Sequence, residues 1–285
     1  MQQYIGISFD DKSNKYLAFE KLQQFQGSMK QYIDAGIVIS HKNLDELILN
    51  TVEKYVISFK EKLQLIRDAL HGLRYLHESG RSMHGNLKPS NILINFVNPE
   101  EEYNALKIDE KTRLKSSIGN FIAGRSVAKL TDYGFLHFCK DVALSQYDTM
   151  FRSPEILDET TTDKKCDDKG DIYSMSLIIY SLLFQELPYT DFDIEQVISG
   201  RLRPRFPFEE SDDDDIWNWF NNNYANDEYI MAISYNAIDH YDTARPIIVK
   251  NIKTIVLVLE TMWSPQVAIR PTAKYALDLL ADIVI

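Results

Sequence analysis

Apolar positions divide the chain into an extended front and a helical remainder. Two strand-like runs occupy the first 22 residues, Tyr4–Phe9 and residues 16–22, joined by the polar turn DDKSN. A helix is expected near residues 28–33. The strongest periodicity lies in SFKEKLQLIRDALHGLRYLHE, residues 58–78, where Leu63, Ile66, Leu70 and Leu73 recur on one face at helical spacing. Ser58 and Glu61 have the spacing of a capping box, which would satisfy exposed amides at the helix start, and Gly80 lies just past its end. After NILIN comes a polar insertion, near residues 96–125, without a strong period. Short strand signals then bracket VAKLTDYGF. From Asp168 onward the chain reads as mainly helical and ends in the amphipathic stretch 272–285. Residues 175–184, MSLIIYSLLF, are too short to cross a bilayer and predict a fully buried helix in a sizeable core. A second insertion, near residues 208–244, carries EESDDDDIWNWFNNNY. There are no internal repeats, and the insertions read as loops grafted on one domain.

Composition adds limits. The 285 residues are 45% hydrophobic and 26% charged, as in an ordinary folded soluble protein. A formal net charge of −11 repels nucleic acid and anionic lipid, so neither is an expected partner. Cys139 and Cys166 are too few for a disulfide framework, which suits a reducing compartment, and each reads as a small buried hydrophobe. The opening MQQYIGISFDD has no basic segment followed by an apolar core, so no signal peptide is expected, and the expected location is cytoplasmic.

Candidate chemistry lies in two short stretches. SMHGNLKPSN, residues 82–91, reads as a loop after a helix, with Lys88 and Asn91 placed to face a common cleft. About 40 residues later, Asp132 in KLTDYGF puts a carboxylate on a strand-to-glycine turn. A carboxylate and a carboxamide oxygen are hard ligands suited to Mg²⁺, and a nearby lysine can neutralise phosphate oxygens. Each stretch alone is weak evidence, since a lone Asp-x-Gly is usually only a turn. No pair among the six histidines has H-E-x-x-H spacing. SDDDD reads as a solvated loop, or else a docking site for a basic partner, and Trp217 and Trp219 beside it as packed against the core.

Taken in order, these stretches resemble the protein kinase superfamily over most of the chain. HGNLKPSNIL resembles the catalytic loop H-R-D-L-K-P-x-N, DYG the metal-binding D-F-G, and FRSPE the A-P-E segment end. DKGDIYSMSLIIYSLL is similar to the buried helix that anchors the large lobe. MWSPQVAIRPTAKYALDLL is similar to the ending of tyrosine-kinase-like families, and YLAFEKLQQFQGSMKQYI to the hinge strand and following helix. The implied fold is α+β. It has a mainly α-helical large lobe in residues 23–285 and a remnant of the small-lobe β-sheet, with the hinge, in residues 1–22. The resemblance implies ATP and Mg²⁺ as cofactors, weakly bound. Asn91 and Asp132 match the metal ligands, and Lys88 the lysine that touches the transferred phosphate. Phe19 matches the gatekeeper, with the backbone at Glu20 and Leu22 meeting adenine. Glu155 and Arg270 match a structural ion pair, Asp171 the residue that holds the catalytic loop, and His84 a residue that packs it. Ser145, Tyr147 and Thr149 fall in the activation segment, either as phosphorylation sites or as merely exposed groups.

Two departures bear on function. Asn86 stands at the position of the catalytic aspartate. An amide cannot take a hydroxyl proton, and general-base assistance is worth roughly 10²–10⁴-fold. Gly85 replaces the arginine that would pair with a phosphorylated activation segment. HGNLK followed by TDYG is similar to the kinase-homology domain of receptor guanylate cyclases, a regulatory module. At the front, no G-x-G-x-x-G loop and no strand lysine with a helix glutamate occur. Two strands alone are marginal and leave an open edge, so either a longer product or a covering partner is expected. The expected function is that of a pseudokinase, a regulatory or scaffolding module that acts through protein partners. The alternative is an ATP-dependent protein kinase, transferring to Ser/Thr or Tyr, whose small lobe is missing from this chain or supplied in trans.

Overall fold

The computed structural model describes residues 4–9, 15–19, 25–30, 58–79, 83–97, 125–133, 145–158, 168–189, 191–224, 240–281 and 283. Strand β1 (Tyr4–Phe9) pairs antiparallel with β2 (Lys15–Phe19), with a register shift between Tyr4 and Gly6. The first predicted run coincides with β1. The second is described only to Phe19, and its remainder lies outside the described residues. A second antiparallel sheet has the order β3 (Phe25–Ser28), β4 (Ile92–Val97), β5 (Arg125–Leu130). Ser28 pairs with Leu93 and ends a strand, where the sequence suggested the opening of a helix. Helical geometry begins one residue later, at Met29.

The hairpin register matters most for the site. Ile92 pairs with Leu130 and Val97 with Arg125, so residues 91 and 131 emerge side by side from the same end of the sheet. Thr131 N–H donates to the Asn91 carbonyl at 3.0 Å and extends the ladder by one rung. Stretches 40 residues apart in sequence thereby become neighbours.

Helix α1 (Phe59–Glu78) forms where the periodicity places it. Leu63, Ile66, Leu70 and Leu73 are all buried, and the Ser58 hydroxyl accepts the Glu61 amide at 3.1 Å as the N-cap. Its C-cap is Ser79, whose amide donates to the Tyr75 carbonyl at 3.0 Å. Gly80 lies outside the described residues.

Two single-turn helices follow, α2 (Gln146–Thr149) and α3 (Pro154–Leu157), and then α4 (Asp168–Phe184). Every residue of α4 from Gly170 to Phe184 is buried. A helix without a polar face has no stable place except inside a core, and its serines must then bond internally. Ser174 and Ser176 do so, donating to the carbonyls of Gly170 and Tyr173.

Helices α5 (Ile194–Ile198), α6 (Asp213–Tyr224), α7 (His240–Met262) and α8 (Ala273–Ala281) complete the described chain. The acidic run expected as a loop is instead the opening turn of α6, where Asp212 accepts the amides of Asp214 and Asp215. Asp213 and Asp214 pair with Lys253 and Arg245 of α7. Trp219 packs on Phe184 and Phe208 with ring centroids 5.2 Å apart in each case. Trp217 also rests against the core, so both tryptophans lie as expected. No described helix is long and apolar enough to cross a membrane. Cys139 and Cys166 lie outside the described residues.

Candidate functional site

The loop 83–91 is fixed from below by one carboxylate. Asp171, on the first turns of α4 and 3% exposed, accepts the amides of His84 at 2.6 Å and Gly85 at 2.9 Å. It also meets the Nε2 of His77, at the end of α1, at 3.0 Å. Three donors on one buried carboxylate offset its desolvation and fix the loop to the core helix. Gly85 has φ +74°, where a side chain is strained, so glycine suits this turn.

Within the loop, Asn86 N–H donates to His84 Nδ1 at 3.3 Å, and the Asn86 carbonyl accepts from Asn91 Nδ2 at 2.8 Å. This second bond fixes the orientation of the Asn91 carboxamide and leaves its oxygen as an acceptor. Asn91 is 4% exposed and follows the turn opened by Lys88 and Pro89. Beside it, Asp132 has φ +60°, an uncommon backbone for a residue with a side chain, though aspartate tolerates it best among charged residues. Its Oδ1 accepts from the Thr131 hydroxyl at 3.3 Å.

His84 is wholly buried, and loss of solvation lowers its pKa from 6.5 despite the neighbouring Asp171 and Asp132. The imidazole is therefore neutral at pH 7 and serves the loop as a packed acceptor.

The segment end is tied down separately. Arg270 donates to both carboxylate oxygens of Glu155, at 2.6 and 3.0 Å, and to the carbonyls of Ser264 at 2.9 Å and Lys169 at 3.1 Å. Its guanidinium lies 4.9 Å over the Tyr173 ring. Burial would raise the Glu155 pKa, but the hydrogen bonds and charge of Arg270 outweigh it and bring it below 4.5. Ser145 in this region is exposed. Thr149 is half-buried and donates its hydroxyl to the Ser145 carbonyl at 2.9 Å. The side chain of Tyr147 lies outside the described residues.

Four of the predicted site residues, Asn86, Lys88, Asn91 and Asp132, thus converge at one end of the β4–β5 hairpin. Phe19 closes β2, while Glu20 and Leu22 lie outside the described residues. His77 was not singled out from sequence. Its position seven residues before His84, at the end of α1, was the available signal. Among the described residues no cluster of three or more His, Cys, Asp or Glu side chains could hold a metal ion. A carboxylate and an amide oxygen are a donor pair that fits Mg²⁺, which retains several waters and takes phosphate oxygens as further ligands.

This is the large-lobe architecture of a phosphotransferase fold, with loop, turn and segment end in their expected order. The chain belongs to the protein kinase domain family, whose profile matches residues 7–279. It is 25% identical to a receptor-type guanylate cyclase of Caenorhabditis elegans over 61% of this chain and 12% of that relative. Retinal guanylyl cyclase 2 of Bos taurus is 25% identical over 58% of this chain and 13% of the relative. A DNA damage response protein kinase of Saccharomyces cerevisiae is 24% identical over 68% of this chain and 36% of its own length. The chain therefore spans a minor part of each of these relatives.

Proposed function

We propose that this kinase domain is catalytically impaired and acts as a regulatory or scaffolding module through protein partners. The observation that carries the reading is Asn86, held in the catalytic loop by its own backbone bonds and offering a carboxamide where proton removal needs a base. Similarity to guanylate cyclases, alongside kinases, supports the same reading. Asn91 and Asp132 would hold Mg²⁺, Lys88 would neutralise phosphate oxygens, and the strand ending at Phe19 with Glu20 and Leu22 would line the adenine side. When bound, ATP would act here as a switch. The cytoplasm is the expected location.

The test is a time course of phosphate transfer from ATP with Mg²⁺ or Mn²⁺. The expected result is no transfer above background. Transfer that disappears in Asp132→Ala would refute impairment. Nucleotide binding is read by thermal unfolding with ATP. Ligand at a hundredfold excess over Kd stabilises by about 2.7 kcal/mol, and the rise should require Mg²⁺ and Asp132.

A second reading is an ATP-dependent protein kinase whose small lobe is supplied in trans. The intact trio Lys88, Asn91 and Asp132 on an anchored loop favours it. Asn86→Asp should then raise activity strongly once a small lobe is present, and an unchanged rate would end that reading.

A further inference from the structure

Helix α7 turns its inner faces to the core, where Ile248, Ile252, Ile255 and Leu259 are buried. Its outer face is a strip of exposed residues, Pro246, Lys250, Lys253, Leu257 and Glu260, which recur at alternating spacings of four and three. That spacing keeps side chains in one row along a helix, and it is the spacing by which two helices pack lengthwise. The first four members of the row line a groove of about 510 Å³, with Asp213 of α6 on its wall. Leu257 is 65% exposed. A lone exposed leucine needs no explanation, but this one lies between two charges of opposite sign.

The two cations that face α6 are compensated within the chain. Lys253 pairs with Asp213 at 2.5 Å, and Arg245 pairs with Asp214. Lys250 and Glu260 have no ion pair among the described residues. Ten positions separate them. At about 1.5 Å per residue they stand roughly 15 Å apart, far beyond the three or four positions at which a helix pairs its own charges. Next to Glu260, partial loss of solvation and then the charges of Glu260 and Glu209 raise the Glu210 pKa, which marks an anionic corner. The row therefore runs from positive at Lys250, through apolar at Leu257, to negative at Glu260.

Turned end for end, such a row complements itself. We propose that the outer face of α7 is a homodimer interface, on which a second copy of this chain lays its own α7 antiparallel about a two-fold axis level with Ile255. Lys250 then faces Glu260 of the partner subunit, and the relation is reciprocal, so the dimer gains two ion pairs. Leu257 packs on the methylenes of the partner subunit's Lys253, whose ammonium group stays with its Asp213. The order of charges selects this occupant. A parallel pairing would set lysine on lysine and glutamate on glutamate, and a uniformly acidic or basic partner would match one end of the row and repel the other. The inference is independent of how Asn86 is read.

The test is sedimentation velocity of the 285-residue chain over a concentration series. Salt at about 0.15 M limits repulsion between two copies of net charge −11. The wild-type chain should show a monomer–dimer equilibrium. Lys250→Glu and Glu260→Lys should each weaken it about tenfold or more, because symmetry reverses two pairs at once. An equimolar mixture of the two single variants should associate again, since each chain then meets opposite charge at both ends of the row. The doubly exchanged variant, Lys250→Glu with Glu260→Lys, should self-associate like the wild type, and Leu257→Ala should weaken the dimer. All three side chains are exposed, so melting temperatures should stay near that of the wild type, and the restored association of the mixture shows that both variants are folded. A wild-type chain that stays monomeric up to millimolar concentration leaves the row to an unlike partner or to solvent and overturns the proposal. A dimer of unchanged strength in both single variants overturns it, because another surface then makes the contact. Single variants that remain monomeric when mixed overturn it as well.

Discussion

Arg270→Met is the sharpest test of how the activation-segment end is held. Methionine keeps an unbranched side chain of similar reach, but it removes both bonds to Glu155 and those to the Ser264 and Lys169 carbonyls. The contact with the Tyr173 ring loses its charge as well. Arg270 has no exposed side-chain surface, while Glu155 retains 26%, so water rescues one partner only in part. Removing one member of a buried pair costs about 3–5 kcal/mol, and partial exposure of Glu155 places this one toward the lower end. That is a large fraction of the roughly 5–15 kcal/mol that holds a domain folded. Urea unfolding followed by fluorescence of the three tryptophans measures it, with Trp263 beside the Ser264 carbonyl that Arg270 uses. The pH dependence supplies an internal check. The Glu155 pKa is lowered in the fold, so the pair's contribution is fully present above 4.5 and is lost as pH falls through the folded value. The gap between wild type and variant should narrow in acid. A cost under about 1 kcal/mol, or a gap constant from neutral pH to pH 3, would refute the argument.

Three further outcomes follow from the same structure. Ser58→Ala should cost about 1 kcal/mol of stability, read as a lower urea midpoint with unchanged slope, because it frees the Glu61 amide. Asp171→Asn should speed hydrogen exchange at the His84 and Gly85 amides far more than at mid-helix α1 amides, since charge-assisted bonds hold the loop. His84 has a folded pKa below 6.5, so the unfolded chain binds more protons just below that value. Stability should therefore fall as pH drops from 6.5 toward the folded pKa. Melting temperatures at pH 7, 6 and 5 check this, and a His84→Asn variant should show a shallower decline.

Much of the large lobe was legible because its signals are local. Helix α1 carries its period and N-cap within 21 residues, and MSLIIYSLLF has no polar face to mistake. The kinase family was legible through motif order rather than through any single residue. Other features depend on partners distant in sequence. The acidic run 212–215 reads locally as a solvated loop, yet Lys253 and Arg245 of α7 stand ready to pair with it. Ser28 lies where a helix was expected, but tertiary pairing with Leu93 extends the strand to it. His77 gave no sign of its role, because its partner Asp171 lies 94 residues away.

Helix α4 has an implication for how such a chain ages. Asp171 grows from the same buried helix that organises the lobe, and Lys169 on it shares Arg270 with Glu155. Folding alone would therefore require Asp171, Glu155 and Arg270, whether or not any phosphate is transferred. The hydrogen bonds that hold Asn86 in the loop run through its backbone, so a change of side chain there would keep them. A lineage can exchange its chemistry at that one position without disturbing the scaffold. On the reading proposed above, activity would be judged from position 86 rather than from the number of familiar motifs that survive.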